Sequence, residues 1–219
     1  GIQSGEYSGW DDIRLGTLRA MARRGIKPGA VRNAVVEIGI GETDIQFSWE
    51  NLYAKNKEII DAGADRFFFV PDPVLVPVSG SGPVIAEAMR YPGDESRGYR
   101  SIPFDGSVYL PGSELASGAP FLRLKDLFNI RIFYDGDNIR AEYAGDDLQE
   151  ARSKKAPIIQ WLSKEHAHPC TLKSPDGDIN GVCEPEAVSE KDRIVQFERV
   201  GFARIDKIGE DAVAYFTHR

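Results

Sequence analysis

Around Asp65 the hydrophobic pattern of the chain changes period. Before it, apolar residues recur every three or four positions; after it, they come in short or alternating runs cut by Gly, Pro, Asp and Ser. The first spacing puts side chains on one face of a helix and the second on one face of a strand, so the two parts need different architectures. The expectation is an α+β chain, with helices to about residue 66 and antiparallel β-barrels beyond.

In the first part, Leu15, Leu18, Met21 and Ala22 form one stripe, and Arg19 and Arg23 lie four apart on another side. This predicts a basic amphipathic helix over 14–27. Gly25 suits a left-handed stop, and Pro28 suits the first turn of a second helix running to Gly39, with Val31, Ala34, Val35 and Ile38 inward. Ser48 is placed to cap a third helix carrying Trp49, Leu52, Tyr53, Ile59 and Ile60 on one stripe and ending near Gly63. Strands are predicted at 67–70, 74–78, 84–89, 107–110, 130–134, 139–143, 158–162, 194–198, 202–206 and 212–217. Asp135-Gly136, Asp176-Gly177 and Gly209-Glu210 mark turns, and Ser79 to Pro83 reads as a loop. These runs exceed the needs of one small barrel, so two adjoining barrels are expected.

Of the 219 residues, 42% are apolar and 28% charged, which fits a globular chain and excludes a coiled coil or a collagen-like fibre. No apolar run approaches the roughly 18 residues of a spanning helix, and the opening residues lack a signal-peptide pattern. With only two cysteines, a reducing cytoplasm is the expected compartment. The net charge of −7 argues against a nucleic-acid partner only until its distribution is considered. Arg14, Arg19, Arg23, Arg24, Lys27 and Arg32 occur over 13–36 without an acid, whereas 135–150 is strongly acidic. One pole can therefore hold a polyanion, although the same residues also suit a solvated helix face.

His166, His168, Cys170 and Cys183 supply enough ligands for zinc, but neither cysteine belongs to a CxxC pair. The other reading is half-buried loop histidines and buried thiols, and no metal is assigned. Asp11 and Asp12 read as a helix cap, and Asp146 and Asp147 as a solvated turn. No phosphate-cradling glycine loop or nucleophile elbow occurs, so no catalytic residue is assigned.

Three stretches carry a family resemblance. Gly9-Trp-Asp-Asp-Ile-Arg14 with the arginine-rich 18–26 resembles the segment after the second ATP-binding signature of class I glutaminyl and glutamyl tRNA synthetases. Ser48-Trp-Glu-Asn-Leu-Tyr53 with Arg66-Phe-Phe-Phe-Val-Pro-Asp-Pro-Val74 is similar to the archaeal-type glutamyl enzymes. Ile159-Gln-Trp-Leu-Ser163, His166-Ala-His-Pro169, Val195-Gln-Phe-Glu-Arg199 and Gly201-Phe202 resemble the distal-barrel and C-terminal strands. The order and spacing agree over nearly the whole chain. Ile13 and Gly16 depart from the pattern, where the family has proline and a bulkier residue or proline.

The resemblance implies a helical stem-contact region at 1–66, a proximal anticodon-binding barrel at 67–115 to which 190–219 returns, and a distal barrel at 116–189, both ribosomal L25-like. It implies the tRNA-holding part of a glutamate-tRNA ligase whose catalytic motifs lie upstream of Gly1. The isolated chain would then be inactive and hold no cofactor, with ATP and magnesium serving the full-length enzyme. The implied partner is tRNA-Glu, possibly also tRNA-Gln, with no DNA and no membrane. Carried over residue by residue, Arg100, Gln196 and Arg199 would read the middle anticodon uridine, and Lys125, or Arg123 if the alignment slips, would meet the third base. Arg14, Arg19, Arg23, Arg24 and Arg32 would contact the tRNA backbone. A glutaminyl counterpart and a stand-alone L25-like module remain as alternatives. Residues two apart share a strand face, so joint use of Gln196 and Arg199 requires the strand to end or bulge before Val200-Gly201.

Overall fold

The computed structural model describes residues 1–39, 47–136, 138–189 and 191–219. Three helices come first: α1 (Leu18–Arg23), α2 (Pro28–Ile38) and α3 (Trp49–Ile60). The first is shorter than expected. The Thr17 hydroxyl accepts the Ala20 N–H at 3.1 Å and starts it, and Gly25, at φ +89°, ends it. Arg14 therefore precedes the helix, and capping falls to Thr17 instead of Asp11 or Asp12. Ser48 caps α3 through the Asn51 N–H at 3.2 Å, and Pro28 opens α2.

Met21, Ile26, Ala30, Ala34 and Leu52 pack the helices together, while Ile60 and Ala64 pack on Phe202 of a later strand. The inward stripe is rotated from the expected one. Leu18 is 72% exposed and Val35 56%, whereas Ala20 and Ala30 are fully buried. Small residues permit the close approach, and Arg24, bonded to the C-terminal strand, fixes the rotation of α1.

Strands follow in chain order. The first group is β1 (Arg66–Phe67), β2 (Phe69–Pro71), β3 (Pro73–Ser79), β4 (Val84–Met89), β5 (Tyr99–Phe104) and β6 (Ser107–Pro111). After α4 (Gly112–Ala116) come β7 (Phe121–Leu124), β8 (Asn129–Asp135) and β9 (Asn138–Tyr143). After α5 (Leu148–Ser153) come β10 (Ile158–Ile159), β11 (Leu162–Ser163), β12 (His168–Lys173), β13 (Ile179–Cys183), β14 (Ile194–Phe197), β15 (Gly201–Lys207) and β16 (Ala212–His218).

One sheet has the order β1-β14-β15-β16-β12-β13-β2, and its two edges are halves of a single segment interrupted at Phe68. The sheet thus closes through one residue. The second, β10-β7-β8-β9-β3-β6-β11, has the same device, its edges being the halves of 158–163 separated by Gln160 and Trp161. The expected strand 158–162 is therefore two strands facing different partners. β4 and β5 form a separate hairpin.

The run Arg66-Phe-Phe-Phe-Val70 explains how the sheets meet. Phe67 and Phe69 enter one core with Phe197 and Ile205, while Phe68 and Val70 enter the other with Trp161 and Leu122. A strand buried on both faces reads as a continuous apolar run, because alternation sends successive residues into two interiors.

Pairing crosses the expected segments. The C-terminal strands do return to the start of the β region, with Arg66 opposite Gln196 and Phe67 opposite Phe197. However, β12 and β13, from the expected distal segment 116–189, join β16 and β2, whereas β3 and β6, from 67–115, join β9 and β11. Strands β5, β7, β12 and β13 are additional to those predicted. Pro103 and Pro169 weakened two of these patterns. Pro169 is tolerated because β12 begins to pair with β16 only at Cys170, so its missing N–H costs no ladder bond on that side.

Candidate nucleic-acid interface

The β14–β15 hairpin carries the Gln196-Phe-Glu-Arg199 stretch. Its strand ends at Phe197, which pairs with Gly201, leaving Glu198, Arg199 and Val200 as the tip. Arg199 has φ +62° and the Val200 N–H returns to the Phe197 carbonyl at 3.0 Å. The strand therefore ends where joint use of Gln196 and Arg199 requires. Gly201 has no room for a side chain: a Cβ there would lie 2.6 Å from the His218 carbonyl oxygen. Phe197 is fully buried and stacks on Phe69, with ring centroids 5.0 Å apart.

The tip rests on the second sheet. The Gln160 side-chain amide donates to the Glu198 carbonyl at 3.1 Å, and Arg199 donates to the Ile158 carbonyl and lies 3.6 Å from the Glu114 carboxylate. The Glu198 carboxylate reaches two cations. Arg100 Nη2 on β5 donates to one oxygen at 2.6 Å, and Lys125 Nζ lies 2.9 Å from the other. Lys125 is placed by its own backbone, its N–H donating to the Ile159 carbonyl and its carbonyl accepting Trp161 Nε1–H, each at 2.9 Å. Arg123, the alternative to Lys125, is turned to the Asp146 carbonyl at 2.9 Å and Asn129 at 3.2 Å.

Arg100, Lys125 and the Gln196–Arg199 hairpin thus meet, drawn from three separate pairings. Their presentation differs. Arg199 is exposed and Gln196 half-buried, and among the described residues the Gln196 side-chain amide has no hydrogen-bond partner. The Arg100 side chain is only 1% exposed, with Nη1 on Glu184, Nη2 on Glu198 and its guanidinium 4.6 Å above the Phe68 ring. It lies beneath the surface it was expected to form.

Glu184 is fully buried and accepts the Phe68 N–H at 2.5 Å, at the point where the first sheet closes. Burial outweighs the Arg100 charge and pushes its carboxyl up to about 7. Sequence reasoning missed Glu184 and Glu198. Strand alternation placed Glu198 on the same side as Gln196, a signal that was present; the partner of Glu184 is remote in sequence and had none.

The N-terminal arginines divide. Arg19 and Arg32 are exposed and, among the described residues, unpaired. Arg14 is half-exposed and bound to Asp12 at 2.7 Å, holding that carboxyl well below the usual carboxylate range, and Arg23 pairs with Asp11 at 2.7 Å. The two aspartates just outside the acid-free stretch therefore neutralise part of it. Arg24 is buried, donating to the Phe216 and Thr217 carbonyls at 3.2 and 2.7 Å and to the Tyr53 hydroxyl at 3.0 Å. It joins helix to strand through Nε and Nη2.

Cys170 and Cys183 are buried free thiols in one core, with Cys183 pushed up by its contact with Cys170 and by burial. His168 sits opposite Cys183 in the β12–β13 ladder, and His166 lies 3.5 Å from Glu186. Both histidines are half-buried, and His168 belongs to a strand and not a loop. Among the described residues, no three His, Cys, Asp or Glu side chains are grouped to hold a metal ion. No described helix is long and apolar enough to cross a membrane.

Residues 64–144 and 158–206 each match an anticodon-binding domain of class I tRNA synthetases (E and Q). The whole chain is 83% identical over 219 residues to a glutamate–tRNA ligase of Methanospirillum hungatei. It is 57% identical over 220 residues to that of Methanoculleus marisnigri and 46% over 222 residues to that of Methanocaldococcus jannaschii. In each case it is matched along its full length, but it spans only 39 to 40% of these relatives.

Proposed function

The chain belongs to the class I (E and Q) tRNA synthetase anticodon-binding family, and on that premise we propose that it holds tRNA-Glu and reads its anticodon for a glutamate–tRNA ligase. The observation carrying this reading is the meeting of Arg100, Lys125 and the Gln196–Arg199 hairpin around Glu198. An unstacked uridine offers carbonyl acceptors and one imino donor. Arg199 supplies guanidinium donors, Gln196 a free amide with both a donor and an acceptor, and Lys125 a second cationic group. Arg100 joins them only once a carboxylate partner yields.

Residues 1–66 are proposed as the stem-contact unit and the two closed sheets as L25-like barrels. Arg19 and Arg32, with Arg14 and Arg23 after exchange of their aspartate partners, would bind phosphates and set register without specifying sequence. Full-length similarity to ligases favours this over a stand-alone L25-like module. Aminoacylation with ATP and magnesium is proposed for the remainder of a ligase of the relatives' length.

The test is filter binding of the chain to a tRNA-Glu transcript in dilute salt, beside the same transcript with its middle anticodon uridine changed. Tight binding that weakens with the base change is expected; no association with either transcript refutes the proposal.

A further inference from the structure

This inference rests on the anticodon-reading assignment and concerns a residue to which that assignment gives no role. Both terminal nitrogens of Arg100 are occupied by carboxylates, and Lys125 is held by the second oxygen of one of them, Glu198. Glu198 therefore holds Arg100 Nη2 and shares Lys125 with Asp126, whose Oδ2 also lies 2.9 Å from Nζ. With its side chain 1% exposed, Arg100 is out of reach of an RNA carbonyl while Glu198 is bonded to Nη2.

The two carboxylates differ in their freedom to leave. Glu184 is fully buried and tied to the Phe68 N–H. The Glu198 side chain is 15% exposed and sits on a three-residue tip, next to a residue at positive φ. If either gives way, it is Glu198.

We propose that Glu198 is a specificity-determining residue, an internal acceptor that an anticodon base must displace from Arg100 and Lys125. The exchange is selective because of what each base returns. Uridine places carbonyl oxygens before the freed donors and replaces the lost contacts. Cytidine presents an amino group where uridine has O4, so donor faces donor, nothing replaces the ion pairs and Glu198 stays in place. An undisplaced carboxylate also repels the RNA backbone. Discrimination is thus gained through a contact that acts against the wrong ligand at some expense in affinity for the right one.

The experiment uses the 219-residue chain and its Glu198→Gln variant, which keeps the shape and one acceptor oxygen but removes the charge. Binding is measured at one salt concentration to a tRNA-Glu transcript and to the same transcript with cytidine at the middle anticodon position. The variant is expected to bind the cytidine transcript more tightly than the wild type does and to change less toward the uridine transcript. The discrimination ratio should fall about tenfold, within the range of a single base contact. An unchanged ratio, or an equal loss toward both transcripts, overturns the proposal. Equal binding of both transcripts by the wild type would instead defeat the anticodon assignment itself. Should the variant not fold, the carboxyl carbon NMR signal of Glu198 in the wild type decides: it should move on adding the uridine transcript, and a stationary signal overturns the proposal.

Discussion

Arg24 and Thr217 are bonded to each other twice, from opposite ends of the chain. Arg24 Nη2 donates to the Thr217 carbonyl at 2.7 Å, and the Thr217 hydroxyl donates to the Arg24 carbonyl. The exchange closes the C-terminus of α1 and anchors the helical region to β16. Guanidinium geometry matters here, because the same side chain also serves the Phe216 carbonyl and the Tyr53 hydroxyl. Arg24→Ala should cost about 2–4 kcal/mol in urea unfolding, since it strips donors from buried carbonyls. Arg24→Lys should recover only part of this, because an ammonium cannot reproduce the planar fork.

Arg19 and Arg32 should behave differently. Both are exposed and unpaired among the described residues, so neither supports the fold. Each substitution to Ala should leave thermal stability within about 0.5 kcal/mol. Each should weaken tRNA binding whatever the anticodon and reduce the slope of log affinity against log salt by about one. Arg199→Ala should instead weaken the cognate transcript selectively, by about 1–3 kcal/mol. Salt titrations of the three variants on cognate and anticodon-altered transcripts separate these effects.

How much of this was legible beforehand depended on whether the signal was local. Thr17, Ser48, Gly25 and Pro28 mark their helix ends through chemistry within a few residues, although Thr17 was passed over in favour of the adjacent aspartates. Face parity requires β14 to end or bulge before Val200 only once the resemblance has assigned Gln196 and Arg199 a joint role. Long-range features were not readable. Nothing in Phe67-Phe-Phe-Val70 states that pairing switches partner at Phe68, and nothing in 158–162 reveals the break at Gln160. The faces of α1 and α2 were misjudged because periodicity identifies an apolar stripe without identifying what packs on it. Arg100 was selected by resemblance, but its burial follows from Glu184 and Glu198, which lie 84 and 98 residues away.

His218 gives the fold an acid sensitivity. It is buried, stacked on Tyr53 with centroids 5.2 Å apart and tilted against Phe202, and it exchanges bonds with Asn56 and the Arg219 carbonyl at 3.0 Å. With Nδ1–H given to that carbonyl, Nε2 accepts from the Asn56 amide, an arrangement that requires the neutral ring. Burial, with Arg24 and Lys57 nearby, pushes its pKa below the ordinary 6.5. Below 6.5 the unfolded chain takes up the proton first, so stability present above that value is lost as pH falls through the lowered pKa. The melting temperature of the wild type should therefore fall relative to His218→Asn between pH 6.5 and 5, which parallel melts of the two proteins would show.

Glu184 should act with the opposite sign. Its surroundings are the Arg100 guanidinium, the Phe68 N–H, and Glu186 and Glu198, with desolvation the largest influence. Raised from 4.5 to about 7, the folded carboxyl keeps its proton over a range in which the unfolded one has lost it. The stabilisation of the protonated form is therefore complete below 4.5 and is withdrawn as pH rises toward 7. Glu184→Gln keeps an acceptor for the Phe68 N–H and removes the titration. The stability difference between wild type and variant, followed by urea unfolding from pH 4.5 to 7.5, should shift steadily in the variant's favour and level off near pH 7. A difference independent of pH would mean that Arg100 keeps the carboxylate ionised throughout, making the junction a permanent ion pair.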